Sequence, residues 1–140
     1  MRYLALDVGD RRIGLAVGDD AFGLTRALPT LRRSRRLAAD IDRVASIARG
    51  EEVGALVIGL PLTLRGEEGP QAARVRRFAD ALASIGLAAE LYDERNTTVE
   101  AARRGAPDPD AGAARVLLED FMSRKRRVPA ADAPSGEARE

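Results

Sequence analysis

Three acidic residues lie far apart along the chain, each beside the end or start of an apolar stretch. Asp7 follows Tyr3 to Leu6, Glu94 follows Leu87 to Tyr92, and Asp110 opens the last amphipathic segment. Three carboxylates gathered on one rim repel each other unless a cation sits among them, and hard oxygen donors suit Mg²⁺ or Mn²⁺. Two such ions, about 4 Å apart, can clamp the attacking water and the leaving oxygen of a phosphodiester. Composition narrows the chemistry in the same direction. The chain has no His and no Cys. That excludes His-based triads, His or thiolate zinc sites and disulfides. Catalysis must run on carboxylates, hydroxyls, Arg, Lys or a bound metal.

A second group of residues suits an anionic partner. Gly9 and Gly14 flank Asp10-Arg11-Arg12 and allow close backbone approach to a phosphate. Arg11 and Arg12 can grip a nucleic-acid backbone. The net charge is only +1, but the 23 basic residues are all Arg except Lys125. Arg presents a planar fork that binds phosphate bidentately. The cations are clustered at Arg32 to Arg36, Arg74 to Arg77 and Arg124 to Arg127, and clusters matter more than totals to a polyanion. Arg74 and Arg77 are candidate phosphate contacts. An Arg-rich composition, or the solvated face of a helix, accounts for the clusters equally well.

The elements that must position these residues can be read from the apolar pattern. At 140 residues and 45% hydrophobic the chain suits one globular domain with its own core. Tyr3 to Leu6 and Ile13 to Val17 are short apolar runs joined by a polar turn, which predicts a hairpin. Gly23 to Leu31 is a weaker third strand, and Pro29 suggests an edge. Leu37, Ile41, Val44 and Ala48 fall at helical spacing within 35–51. Ala55 to Leu60 is continuously apolar, as a strand buried on both faces is. Pro70 suits a helix start, Val75, Phe78, Leu82 and Ile85 its inner face, and Gly86 its stop. Leu87 to Tyr92 is the next strand. A last helix is expected from Asp110 to Ser123, with Ala114, Leu117, Leu118 and Phe121 inward. Residues 124–140 are expected to be a basic, then polar, disordered tail beyond a domain at 1–123.

The order β-β-β-α-β-α-β-α predicts a mixed five-stranded sheet with helices on both faces. The strands starting near Tyr3, Ala55 and Leu87 should run parallel, and ligands in such sheets bind beyond the carboxyl ends. That brings Asp7, Glu94 and Asp110 towards one rim. Plainer roles exist for each: a turn residue for Asp7, an ion-paired loop for Asp93-Glu94-Arg95, and a helix N-cap for Asp110. Asp19, Asp20, Asp40 and Asp42 read as surface charge, and Glu67 and Glu68 as part of a mobile loop. No stretch is apolar and long enough to span a bilayer, and no export signal is evident, so a cytoplasmic protein is expected.

Four segments, in order, carry a family resemblance: LALDVGDRRIGLAVGD, VIGLPLTLRGEEGPQAARVRRFA, YDERNTTVEA and DAGAARVLLEDF. Together they resemble the YqgF/RuvX family of pre-16S rRNA nucleases, also described as Holliday-junction-resolvase-like, over roughly Met1 to Met122. The resemblance implies a ribonuclease-H-like fold and metal-dependent phosphodiester cleavage, either of the 5′ end of pre-16S rRNA or of branched DNA. It implies metal-holding and catalytic roles for Asp7, Glu94 and Asp110, and substrate roles near Gly9, Arg12, Arg95, Thr97 and Thr98. A homodimer is an open possibility for a junction-cutting enzyme. The sequence departs from the family pattern at Val8, Asp10, Thr63 and Asn96, and its Thr98 to Asp110 connection is short. Other readings are a non-catalytic nucleic-acid-binding adaptor in transcription or ribosome assembly, and an actin-like kinase or ATPase. Length disfavours the last, because that class needs two such domains.

Overall fold

The computed structural model describes the backbone of residues 1–93 and 109–127 and the side chains of 1–93 and 112–125. Five strands form one sheet: β1 (Arg2–Val8), β2 (Arg12–Asp19), β3 (Leu24–Arg32), β4 (Ala55–Leu60) and β5 (Ala89–Asp93). Three helices are described: α1 (Leu37–Gly50), α2 (Pro70–Ser84) and α3 (Pro109–Arg127). The sheet order is β3-β2-β1-β4-β5. β1 to β3 form an antiparallel meander, and β1, β4 and β5 are mutually parallel. This is the mixed sheet expected from the sequence.

Strand periodicity sorts the core into two layers. Leu4, Leu6 and Val8 of β1 join Ile13, Leu15 and Val17 of β2 and Leu56, Ile58 and Leu60 of β4 on one face. Ile41, Val44 and Ala48 of α1 and Ala72, Val75, Phe78 and Leu82 of α2 cover that face. Tyr3 and Ala5, with Ala16 and Val57, form the other face under Ala114, Leu117, Leu118, Phe121 and Met122 of α3. β4 is buried on both sides, as its unbroken apolar run predicts.

Pro29 sits where its missing N–H costs least, on edge strand β3. The β2–β3 register slips there, from Ile13–Leu31 to Leu15–Leu28, so a bulge absorbs one residue. Gly86 takes positive φ and ends α2 with its N–H on the Ala83 carbonyl. Several boundaries differ from expectation. α3 runs to Arg127, four residues past the expected Ser123. Leu37 and Ile85 were expected inside but lie exposed at the ends of α1 and α2. Leu37 opens α1 and Ile85 caps α2, so the helical period reaches both positions while the core does not. The 62–68 segment is a closed turn rather than a mobile loop. Leu62 bridges Glu68, Gly66 turns at positive φ, and Glu68 pairs with Arg76 of α2.

Candidate active site

Asp7 is the next-to-last residue of β1, the central strand. Tyr3 and Ala5 of the same strand pack beneath α3, so alternation assigns Asp7 to that face. Only 9% of it is exposed, which makes it one of two buried acids among the described residues. Its cross-strand partner on β2 is Gly14. On the β4 side the registered pairs run from Tyr3–Ala55 to Leu6–Ile58, and one step further brings Gly59 alongside. Gly59 in turn pairs with Tyr92 of β5. Both strand neighbours of Asp7 therefore lack side chains. No Cβ stands beside the carboxylate from either neighbouring strand.

α3 packs across this face. Thr25, Gly18 and Tyr3 form one row across β3, β2 and β1 at the amino end of β1. The Thr25 hydroxyl donates to Glu119, a Cβ on Gly18 would lie 3.1 Å from Leu118, and the Tyr3 and Phe121 rings meet edge-on at 5.3 Å. The turn of α3 at 118–121 thus covers the amino end of β1. Asp110 lies in the first turn of α3. Glu94, Arg95, Thr97 and Thr98, and the side chain of Asp110, lie outside the described residues. Among the described residues no three acids cluster as a metal cage.

Val8 pairs with Ile13, and Gly9 to Arg12 make the turn between β1 and β2. The Gly9 N–H donates to the Arg12 carbonyl at 2.9 Å, and a Cβ on Gly9 would stand 3.2 Å from that oxygen. A side chain there would crowd that oxygen, which would have to give by a few tenths of an ångström. Arg11 and Arg12 are exposed at this turn, and Arg77 is exposed on α2. Arg74 is engaged by an acid: its Nε lies 2.9 Å from Asp10 and also donates to Gln71 Oε1. Gln71 Nε2 donates to the Val8 carbonyl at 2.9 Å, which ties α2 to the end of β1.

Two sequence expectations are corrected here. Asp40 is not surface charge. It is 1% exposed, accepting from the Ser34 N–H at 2.9 Å and from Arg33 Nε at 3.2 Å. Burial alone pushes its carboxyl up, but the Ser34 donors and the Arg33 guanidinium outweigh that and hold it below the usual carboxylate range. Arg33 is not a free member of a polyanion-binding cluster either. It turns inward, with its guanidinium 5.3 Å from the Phe78 ring centre. Tyr92 was also missed. It lies in the row of Asp7, and its hydroxyl donates to Asp120 of α3. Burial first, then Asp120, raises its pKa well above the ordinary tyrosine value.

The chain matches the family described as RuvX: Holliday junction resolvase over residues 1–124. It belongs to that family. A Myxococcus xanthus protein named "Putative pre-16S rRNA nuclease" is 44% identical over 129 residues, covering 91% of this chain and 76% of the relative. A relative of the same name from an Anaeromyxobacter species (strain K) is 41% identical over 136 residues, covering 89% of this chain and 98% of its own. Among solved structures, Thermus thermophilus RuvC in complex with a Holliday junction substrate superposes with a TM-score of 0.58 at 18% identity. The match covers 90% of this chain and 96% of that one. The shared fold is the ribonuclease-H-like α/β architecture built above.

Proposed function

We propose that this RuvX-family chain is a divalent-metal-dependent nuclease that hydrolyses phosphodiester bonds in structured nucleic acid. Asp7, Glu94 and Asp110 hold the metal and carry catalysis in this reading. The observation that carries it is the buried Asp7 carboxylate at the carboxyl end of β1, between Gly14 and Gly59. Glu94 follows β5 directly in the sequence, and Asp110 lies in the first turn of α3. The donor set fits a hard cation: all three candidates are carboxylates, in a chain without His or Cys. We favour two ions, Mg²⁺ or Mn²⁺.

Once bound, divalent ions supply the Lewis acidity and water activation that a chain without His lacks. Asp7 contributes counter-charge and a fixed direction, because its backbone is locked in the central ladder. Gly14 and Gly59 put no side chain of their own between the carboxylate and a phosphodiester. Gly9, Arg11, Arg12, Arg74, Arg77, Arg95, Thr97 and Thr98 are the proposed contacts to the substrate backbone. The precursor of 16S rRNA, from the names of the relatives, is the first substrate to test, and a four-way DNA junction the second. Cleaving a symmetric junction needs two sites and hence a homodimer. The proposed location is the cytoplasm. No helix of the described residues is long and apolar enough to cross a membrane.

The test compares wild type with Asp7→Asn on precursor rRNA and on a four-way junction, each with Mg²⁺ and with Mn²⁺. The amide keeps the shape and loses the charge. Cleavage should fall at least about 100-fold while the circular dichroism spectrum stays unchanged. Equal rates in the two proteins would leave only a nucleic-acid-binding adaptor.

A further inference from the structure

The turn that follows Asp7 is gripped by a buried ion pair to which the proposed function gives no role. Asp40, on the inner side of α1, is as buried as any core leucine, and both of its oxygens are used. Oδ1 accepts from the Ser34 N–H at 2.9 Å and Oδ2 from Arg33 Nε at 3.2 Å. Arg33 is itself 16% exposed. Its Nη1 donates to the Gly9 carbonyl at 3.0 Å, and its backbone N–H donates to the Arg11 carbonyl at 2.7 Å. The face of the guanidinium rests on Phe78 of α2. One residue thus holds the turn at both Gly9 and Arg11, in a plane fixed by a carboxylate on one edge and a ring beneath.

A buried ion pair is a poor source of net stability. Desolvating the two charges cancels most of their attraction, and an apolar pair of similar volume often does as well. What such a pair supplies is direction. The β1–β2 ladder ends at Val8–Ile13, so beyond that point the turn is held by its own Gly9–Arg12 bond, by the Arg33 N–H on the Arg11 carbonyl and by side chains reaching in. Gln71 holds the Val8 carbonyl from α2 and Arg33 the Gly9 carbonyl from the opposite element. These are the first two carbonyls after Asp7. We infer that Arg33, oriented by Asp40, is a positioning residue that sets the Gly9–Arg12 turn and thereby the aim of the Asp7 carboxylate. The inference rests on the reading of Asp7 as a metal-holding group.

Outer partners that orient a ligating group typically change metal affinity or activity 10- to 100-fold when removed, roughly the size expected here. Three variants test it: Arg33→Met, Arg33→Lys and Asp40→Asn. Amide hydrogen exchange reports on the clamp without metal or substrate. Gly9 should exchange about tenfold faster in Arg33→Met and Asp40→Asn, while Leu4 and Leu6 in the ladder stay protected. Mn²⁺ binding, followed by electron paramagnetic resonance, should weaken about tenfold, and kcat should fall with KM changed less than about twofold. Arg33→Lys should recover part of each. Lys keeps the charge beside Asp40 but cannot serve Asp40 and Gly9 from two edges of one plane. It also carries all three readouts should Arg33→Met fail to fold.

Folded variants with wild-type Gly9 exchange and wild-type Mn²⁺ affinity would overturn the positioning role. Wild-type protein that binds no Mn²⁺ and cleaves nothing would instead overturn the reading of the site. In that case the Gly9 amide still shows whether the clamp holds the turn.

Discussion

The two faces of the sheet are built from different residues for different ends. Under α1 and α2 the strands present Leu4, Leu6, Val8, Ile13, Leu15 and Val17, a dense aliphatic layer. Under α3 the alternating positions of the same two strands are Tyr3, Ala5, Asp7, Gly14, Ala16 and Gly18. Small residues let one helix lie close to the sheet. A Cβ on Gly18 would come within 2.7 Å of the Leu24 carbonyl oxygen and 3.1 Å of Leu118. The first face carries stability. The second carries a buried carboxylate, Asp7, at the carboxyl end of β1. Adjacent residues of one strand therefore serve different purposes according to the direction they point.

That contrast is tested most sharply by a pair of neighbours. Leu6→Ala should destabilise the fold by about 2–5 kcal/mol in urea unfolding, because a fully buried side chain leaves a cavity. The fraction that remains folded should keep its kcat. Asp7→Asn should do the reverse, with a rate loss of at least about 100-fold and a nearly unchanged unfolding midpoint. A large loss of stability in Asp7→Asn and of activity in Leu6→Ala would erase the distinction between the faces.

Closeness on the α3 face can be tested separately. Gly18→Ala must displace backbone, since its nearest obstacle is a carbonyl oxygen, and should cost about 1–3 kcal/mol. Gly50→Ala, at the end of α1 with nothing within 4 Å, should be neutral or stabilising by up to about 1 kcal/mol. Similar values for both would mean that the start of β3 and α3 leave more room over Gly18 than these contacts imply.

On the aliphatic face Asp40 is a buried acid, and its signature is acid sensitivity. Its pKa is lower in the folded protein than the ordinary value near 4, so the unfolded chain binds its proton first as pH falls. The stability it supplies is complete above that ordinary value and is lost as pH drops through the lower, folded one. Asp40→Asn should cost about 3 kcal/mol at neutral pH and flatten the acid limb of the stability curve below about pH 4. A variant whose acid limb matches wild type would show that Arg33 and Ser34 do not favour the charged form.

The strands were legible because apolar runs ended at Gly, Pro and acids, and parallel β1, β4 and β5 followed from the two strand–helix units. Asp7 could be found because it ends such a run. Gly59 could not be seen as its neighbour, because that pairing depends on the register between β1 and β4, some fifty positions apart in sequence. Asp40 was misread for a local reason. It sits beside Ile41 in a helix whose apolar positions explain the burial of that face, and a lone acid there looks like the edge of the stripe. Its partner Arg33 lies in a loop whose path no periodicity encodes. Arg74 was legible as a cation on α2. That it faces Asp10 was not, since the contact joins a hairpin turn to a helix sixty-four positions later.

The Asp10–Arg74 contact gives the smallest expected effect and bears on the rim where the two faces meet. Asp10 is 64% exposed and Arg74 42%, so the pair contributes little to stability, and Asp10→Asn should shift unfolding by less than about 0.5 kcal/mol. Its consequence lies in binding. A phosphate arriving at the turn must compete with the Asp10 carboxylate for the Arg74 guanidinium and also approach the negative charge of Asp10. Removing that charge frees Arg74 as a phosphate contact. RNA-hairpin affinity, followed by fluorescence polarisation from about 50 to 200 mM salt, should rise a few-fold, and the slope of log K against log salt should steepen by about one. Arg74→Ala in the same background should return the slope to its wild-type value. Weaker binding in Asp10→Asn, restored only by raising Mn²⁺, would place Asp10 with the metal-holding acids. The rim would then carry one more ligand instead of a competitor for substrate.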